Sequence, residues 1–131
     1  METTKQTKDQ NSNNKSEIET TIQNYFRGYL EADAERLAKA FHPSAKLFSV
    51  SEGKLETTEI ADWLKNLRDR KAKGDIRKAG TRIDSIEITG DAAVAKTILS
   101  FPKFRFVDYL SLLQIGRDWV IMNKTYTMKE T

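Results

Sequence analysis

The end of the chain constrains the fold most strongly, because residues 108–126 have the pattern of two strands joined by a tight turn. Both flanks are rich in apolar, β-branched and aromatic residues, and Gly116-Arg117-Asp118 lies between them. Such residues favour strands, and glycine and aspartate suit the backbone angles of a short hairpin. Because this hairpin follows three segments of helical pattern, we predict an α+β domain whose helices gather on one face of a curved sheet.

Composition narrows the class of protein. The chain has 131 residues, of which 38% are hydrophobic and 31% charged, which is typical of one globular domain. No apolar run approaches the roughly 18 residues of a membrane span, and the start lacks the apolar segment of a secretory signal. The absence of cysteine excludes disulfides and thiolate sites. We therefore predict a cytoplasmic protein that binds no membrane.

Order is predicted to begin at Ser16. Residues 1–15 contain almost only polar side chains, which predicts a disordered tail, and residues 16–131 are predicted to form the single domain. Ser16 and Glu19 fit a capping box at the start of a first helix. The apolar residues that follow recur at helical spacing and form one stripe, made of Ile18, Ile22, Tyr25, Phe26, Tyr29 and Leu30.

A short second helix and two short strands are predicted next. Asp33 is a candidate cap for this helix. Pro43 ends it, because proline disfavours helical backbone angles at the preceding His42. Residues 45–50 and 54–56 have the pattern of strands.

A third helix is predicted between Thr58, a candidate cap, and Gly74, a favoured stop. Four strands are then predicted, over residues 81–88, 92–101, 103–115 and 119–128. In the first of these, the apolar residues break strict alternation near Asp84-Ser85, which predicts a β-bulge that helps the sheet to bend. The predicted order of elements is ααββαββββ.

Several motifs together point to a family. They are the two N-terminal helices, Phe41-His42-Pro43-Ser44-Ala45, the hairpin Ile88-Thr-Gly-Asp-Ala-Ala-Val-Ala95 and the closing strand Trp119-Val-Ile-Met-Asn-Lys124. With these motifs the chain resembles the nuclear transport factor 2-like superfamily. Within it, Asp108-Tyr-Leu-Ser-Leu-Leu followed by the closing strand is most similar to the putative lumazine-binding family.

The resemblance covers residues 17–128 and implies a cone-shaped α+β barrel. Three helices would pack on a strongly curved, mainly antiparallel sheet, and a pocket would lie at the open end of the cone. The superfamily includes isomerases, dehydratases, polyketide cyclases and transport factors, and its members often dimerise through the sheet. For this chain we predict a homodimer through the outer face of the last three strands.

Aromatic residues are the candidates for the walls of a pocket. A pocket of this kind needs apolar walls and a few convergent polar groups. The residues predicted to bind a ligand are Tyr25, Tyr29, Trp63, Phe106, Trp119 and Asn123. For the two tyrosines, the alternative is simple core packing with hydroxyls that find partners.

Asp108 is the first candidate for catalysis. Strand alternation places it on one face with Leu110 and Leu112, in apolar surroundings. A carboxylate buried beside aromatic rings can act as a general base near neutral pH. The alternative is a structural carboxylate paired with Lys124, Arg105 or a backbone N–H group, or one exposed on the dimer side of the sheet.

His42, the only histidine, is the second catalytic candidate, because an imidazole exchanges protons near neutral pH. Its place before a proline at a helix end favours a capping or packing role instead. One histidine and no cysteine predict no metal site, and the sequence has no glycine-rich phosphate loop. We predict no cofactor.

Residues 65–78 carry seven basic and two acidic side chains, a local excess of +5 against +3 for the whole chain. We predict a solvated helix end rather than a nucleic-acid site, because no aromatic residues are interleaved with the charges.

Three functions are consistent with these observations. The first is an uncharacterised small-molecule-binding protein with an aromatic-lined cone pocket. The second is a cofactor-independent isomerase, cyclase or dehydratase that uses Asp108 as its base. The third is a dimeric protein-interaction module.

Overall fold

The computed structural model describes residues 8–131, which form three helices and a six-stranded sheet. The helices are α1 (Lys8–Leu30), α2 (Ala34–Ala40) and α3 (Ile60–Ala72). The strands are β1 (Phe41–Ser51), β2 (Lys54–Glu59), β3 (Gly80–Thr89), β4 (Ala92–Ser100), β5 (Phe104–Ile115) and β6 (Asp118–Glu130). The order of elements confirms the predicted α+β class.

The sheet is mixed but mainly antiparallel. Its strand order is β2-β1-β6-β5-β4-β3, and the parallel pair is β1 with β6. The C-terminal hairpin is confirmed, since Ile115 pairs with Asp118 across a two-residue turn. Gly116 in this turn has φ of 64°, a left-handed angle that glycine adopts without strain.

One face of the curved sheet and the helices enclose the core. The predicted stripe of α1 is buried at Ile18, Ile22, Tyr25 and Phe26. Burial alternates along β5, where Asp108, Leu110 and Leu112 face inward. Across residues 8–131, none of the helices has the length and apolar character needed to cross a bilayer.

The predicted start of the first helix at Ser16 is wrong. Helix α1 already begins at Lys8, so residues 8–15 belong to it, and residues 1–7 lie outside the described part of the chain. This part of the helix makes a tertiary contact that composition does not reveal. Asn14 is buried, and the Trp119 indole N–H donates to its side-chain oxygen at 3.4 Å.

The predicted boundaries of α2, β1 and α3 agree in part with those of the structure. Asp33 caps α2 as predicted, because its side chain accepts a hydrogen bond from the Arg36 backbone N–H at 3.1 Å. Strand β1 begins directly after α2, so His42 and Pro43 lie in a strand and not at a helix end. The predicted cap at Thr58 is wrong, since Glu59 precedes α3 and makes no side-chain capping bond.

Register shifts at three places shape the described part of the sheet, and one of them lies in β1 between Phe41 and Lys46. The predicted bulge in β3 is confirmed by the register shift between Ile83 and Ser85. A second bulge lies in β6, where successive partners on β5 pair with Ile121 and Asn123 and leave Met122 as the extra residue. An extra residue moves all later side chains to the other face of a strand. Lys124 therefore faces inward like Ile121.

Candidate functional site

A small chamber of about 90 Å³ lies between the helices and the inner face of the sheet. It draws walls from five elements, because α1, α3, β1, β5 and β6 each contribute at least one side chain. These side chains are Tyr25, Tyr29, Leu47, Trp63, Phe106, Lys124 and Tyr126. Four of the six residues predicted to bind a ligand, namely Tyr25, Tyr29, Trp63 and Phe106, are among them.

A chain of buried hydrogen bonds runs from the chamber into the core. The Lys124 ammonium donates to the Tyr25 hydroxyl oxygen at 2.9 Å, and that hydroxyl donates to Asp108 Oδ2 at 2.6 Å. The Thr97 hydroxyl donates to the same carboxylate oxygen at 3.1 Å. Tyr25 thus links the Lys124 ammonium to the Asp108 carboxylate, and these two charged groups form no direct hydrogen bond.

Burial and charge shift the protonation of this chain. Burial raises the pKa of Tyr25 well above its ordinary value, and the nearby Asp108 carboxylate raises it further. Burial lowers the pKa of Lys124, and the attraction of Asp108 opposes part of this effect. The phenol is therefore held as a neutral hydroxyl, which can accept from Lys124 and donate to Asp108 at once.

Aromatic rings surround the Lys124 ammonium. Its Nζ lies 4.6 Å from the ring centroids of Trp63 and Tyr126 and 4.8 Å from that of Tyr25. Ring faces attract a cation, and this attraction is strongest where water is excluded. The rings therefore favour the charged form of a side chain that burial alone would disfavour.

Asp108 lies on the other side of the Tyr25 hydroxyl from the Lys124 ammonium. Its side chain has 0% exposure and does not line the chamber, because Tyr25 lies between them. Its Oδ2 takes the hydrogen bonds from Tyr25 and Thr97, while its Oδ1 has no partner among the residues that the structure describes. Asp108 can therefore reach a molecule in the chamber only through the Tyr25 hydroxyl.

Comparison with known proteins decides the family. A family model described as "Putative lumazine-binding" matches residues 13–127, which is most of the chain. The chain belongs to the putative lumazine-binding family. No curated protein matches the sequence.

Solved structures similar to this family member have the nuclear transport factor 2-like fold. A protein of unknown function from Shewanella baltica has a TM-score of 0.80 at 23% identity, over 97% of this chain and 100% of its own. Another, from Silicibacter pomeroyi, has a TM-score of 0.80 at 20% identity, over 91% and 98%. A protein described as a putative ketosteroid isomerase, from Shewanella frigidimarina, has a TM-score of 0.63 at 13% identity, over 84% and 94%.

Three residues proposed from the sequence lie away from the chamber of this lumazine-binding family member. Trp119 is buried against α1, where its carbonyl accepts from the Thr21 hydroxyl at 2.8 Å. Asn123 is exposed, because the bulge at Met122 turns it outward. His42 makes its side-chain contact with Ser44, at 2.8 Å between Nδ1 and Oγ, and does not line the chamber.

Sequence reasoning missed Leu47 as a chamber residue, and it missed Lys124 and Tyr126 on β6. Strict alternation from the buried Trp119 and Ile121 places Asn123 inward, and only the bulge reverses this. The sequence did indicate Lys124 in one respect, because it was a candidate partner for Asp108 if that carboxylate is structural and not catalytic. The structure supports that alternative in an indirect form, with Tyr25 between the two charges.

The basic segment 65–78, which comprises the second half of α3 and the residues after it, is not simply a solvated helix end. Arg70 is buried, and its guanidinium donates to the Tyr29 carbonyl at 2.9 Å and to the Asp75 carbonyl at 3.1 Å. Arg77 donates to the Tyr29 hydroxyl at 3.0 Å. Two of these cations therefore hold Tyr29, a wall of the chamber, in place.

A larger, open cavity of about 660 Å³ lies on the other face of the sheet. It is lined by outward-facing residues of β3 to β6, including Lys96, Val107 and Tyr109. We place the candidate site at the smaller chamber, because buried polar groups and aromatic walls converge there.

Proposed function

We propose that this protein binds a small molecule in the chamber between α1, α3 and the sheet. The observation that carries the proposal is the buried Lys124 ammonium inside a cage of aromatic rings at the chamber wall. Protein cores are normally close-packed, so a void beside a buried cation is unusual for a purely structural element. The description of the family model, which names lumazine, supports a ligand-binding role.

Ligand binding is tested by thermal shift with lumazine, other pterins, steroids and aromatic acids. We expect at least one class to raise the melting temperature, because a ligand that binds only the folded state stabilises it. Leu47→Phe places a ring in the chamber and should abolish the shift. If no compound stabilises the protein, or if Leu47→Phe leaves the shift unchanged, the proposal is wrong.

The two tryptophans provide a matched control. Trp63→Phe alters a chamber wall, whereas Trp119→Phe removes a buried indole that does not line the chamber. We expect weaker ligand binding in the first variant and unchanged binding in the second, even though both lose stability through reduced packing.

A second candidate function is favoured by the short contact between Tyr25 and Asp108. We propose a cofactor-independent isomerase, cyclase or dehydratase in which Tyr25 faces the substrate and Asp108 accepts a proton through it. Removal of a proton beside a carbonyl needs a base and a donor that stabilises the oxyanion. In this chamber the Lys124 ammonium is the candidate oxyanion donor.

This second candidate is tested with β,γ-unsaturated ketones, whose conversion to the conjugated isomers is followed by ultraviolet absorbance. We expect Asp108→Asn to lose most of the turnover while ligands still bind, and Thr97→Val to keep more of it. Full turnover in Asp108→Asn, or none in the parent protein with any such ketone, would count against catalysis by this relay.

The homodimer is also proposed, through the outer face of β4 to β6. Several large apolar side chains are exposed on this face, namely Val94 on β4 and Tyr109, Leu113 and Ile115 on β5. Contiguous exposed apolar residues commonly mark an interaction surface.

A further inference from the structure

Lys124 has hydrogen-bonding capacity that the protein does not use. Its side chain is 6% exposed, and an ammonium carries three donors, of which one goes to the Tyr25 hydroxyl. Among the side chains that the structure describes, no carboxylate forms an ion pair with it. Its remaining N–H groups meet ring faces and the chamber. A buried ammonium with unused N–H groups is stabilised when a further hydrogen-bond acceptor binds to it.

The chamber adjoins a wider apolar cleft. Tyr29 and Phe106 line both spaces, and the cleft has a volume of about 350 Å³. Its other walls are Phe101 and Phe104, with Arg77 and Lys78 beside them. A chamber of about 90 Å³ corresponds to roughly three water molecules at about 30 Å³ each, so it suits a small polar head group. The cleft suits an apolar body.

The charges along these two spaces have one sign. Lys124 lines the chamber, Arg77 and Lys78 line the cleft, and no described residue that lines either space carries a carboxylate. Asp75 compensates part of the Arg77 charge at 3.0 Å, but the chamber itself holds only the ammonium. Such an arrangement selects an anion over its neutral analogue, because a charge-assisted hydrogen bond is stronger than a neutral one.

We propose that the ligand is an amphipathic carboxylic acid, whose carboxylate accepts from Lys124 in the chamber and whose apolar body lies against Phe101, Phe104 and Phe106. This inference rests on the proposed ligand-binding function and specifies its chemistry. Tyr25 holds the ammonium in position and does not itself need to move.

The proposal is tested by isothermal titration with two matched pairs, trans-cinnamate with cinnamamide and octanoate with octanamide. The members of each pair have similar shape and differ in charge. We expect each acid to bind at least about tenfold more tightly than its amide. Lys124→Met should remove this preference and still bind the amides, whereas Lys124→Arg should retain part of it. Lys96→Met, which changes a lysine on the other face of the sheet, should behave like the parent protein.

The outcomes separate the two proposals. If the parent protein binds acids and amides equally, or if Lys124→Met keeps the preference for acids, the carboxylate inference is overturned and ligand binding stands. If the parent protein binds neither member of any pair, and none of the pterins or steroids, the proposed function falls and this inference with it. The comparison of acid with amide in the parent protein needs no variant, so a Lys124 variant that fails to fold does not prevent the test.

Discussion

Tyr25 occupies the centre of the site because one hydroxyl serves two charged neighbours. It accepts from Lys124 at 2.9 Å and donates to Asp108 at 2.6 Å, and all three side chains are buried. If either the Lys124 or the Asp108 charge is removed, the remaining charge stays buried without an opposite charge. The loss of folding stability is then usually larger than the stability that the pair of charges contributes. The three residues should therefore behave as one unit.

A double-mutant cycle measures this coupling. We expect Asp108→Asn to lower the free energy of unfolding by on the order of 3 kcal/mol, because the Lys124 ammonium loses the carboxylate that compensates it. In a Lys124→Met background the same change should cost clearly less. Urea unfolding of the four proteins gives the coupling energy. Equal losses in both backgrounds would show that the two charges are independent.

Raising the pH should reduce the free-energy cost of burying Lys124, because the neutral amine is easier to bury than the ammonium. Burial lowers its pKa in the folded protein from an ordinary value of 10.5, so between the two values the unfolded chain holds more protons. Stability relative to Lys124→Met should therefore rise with pH through this window and level off above it. The raised pKa of Tyr25 lowers the stability of both proteins above about pH 10, so it largely cancels in the comparison. Urea unfolding over a pH series tests this, and a relative stability that falls with pH would contradict it.

At the scale of elements, the bulge in β6 decides which side chains reach the chamber. Met122 is the extra residue, and beyond it Lys124 and Tyr126 take the inward positions that strict alternation assigns to Asn123. A strand pattern read from sequence carries no sign of such a slip when the residues around it are all compatible with a strand. The bulge in β3 was predictable because isoleucines marked the inward face on both of its sides.

The helices, like the strands, were predictable only in part. The stripe of α1 and the cap at Asp33 follow from local spacing and side-chain chemistry, and both are present. The extension of α1 back to Lys8 has no such local signal, and the contact that its buried Asn14 makes with Trp119 joins residues far apart in the sequence. Long-range contacts of this kind override local composition, and no window of sequence contains them.

The close crossing of α1 and α2 depends on Gly28. A Cβ atom at this position would lie 2.7 Å from the Leu37 backbone nitrogen and 2.9 Å from its Cα, so the two helices would have to separate. We expect Gly28→Ala to lower the free energy of unfolding by about 1–3 kcal/mol through overpacking. Gly80→Ala is the matched control, because its Cβ would meet Ser100 at an ordinary 3.8 Å. Urea unfolding that gives equal losses for both variants would contradict this account of the crossing.

At the scale of the whole molecule, the two faces of the sheet carry different side chains. The inner face carries the core and the chamber, while the outer face exposes apolar residues on β4 and β5. This division supports a binding site on the inner face and a subunit contact on the outer one. Ligand binding and self-association should then be separable by substitution.

Leu113→Glu tests the proposed subunit contact. Leu113 is 39% exposed on β5, and a carboxylate there would place a charge in the proposed apolar interface, where it would lose its water on dimerisation. We expect light scattering at micromolar concentration to show a dimer for the parent protein and a monomer for the variant, with ligand binding unchanged. A monomeric parent protein would end the dimer proposal without affecting the chamber.

The most direct measurement of ligand binding in the chamber uses the two tryptophan indole N–H signals in a nitrogen–proton NMR spectrum. Trp63 lines the chamber and Trp119 is buried elsewhere, so one signal reports on the site and the other serves as an internal control. On titration with trans-cinnamate or lumazine, we expect the Trp63 signal to shift in a saturable manner while the Trp119 signal stays in place. A Trp63 signal that remains fixed with these probes and with every other class in the ligand screen would contradict the proposal that this chamber binds a small molecule.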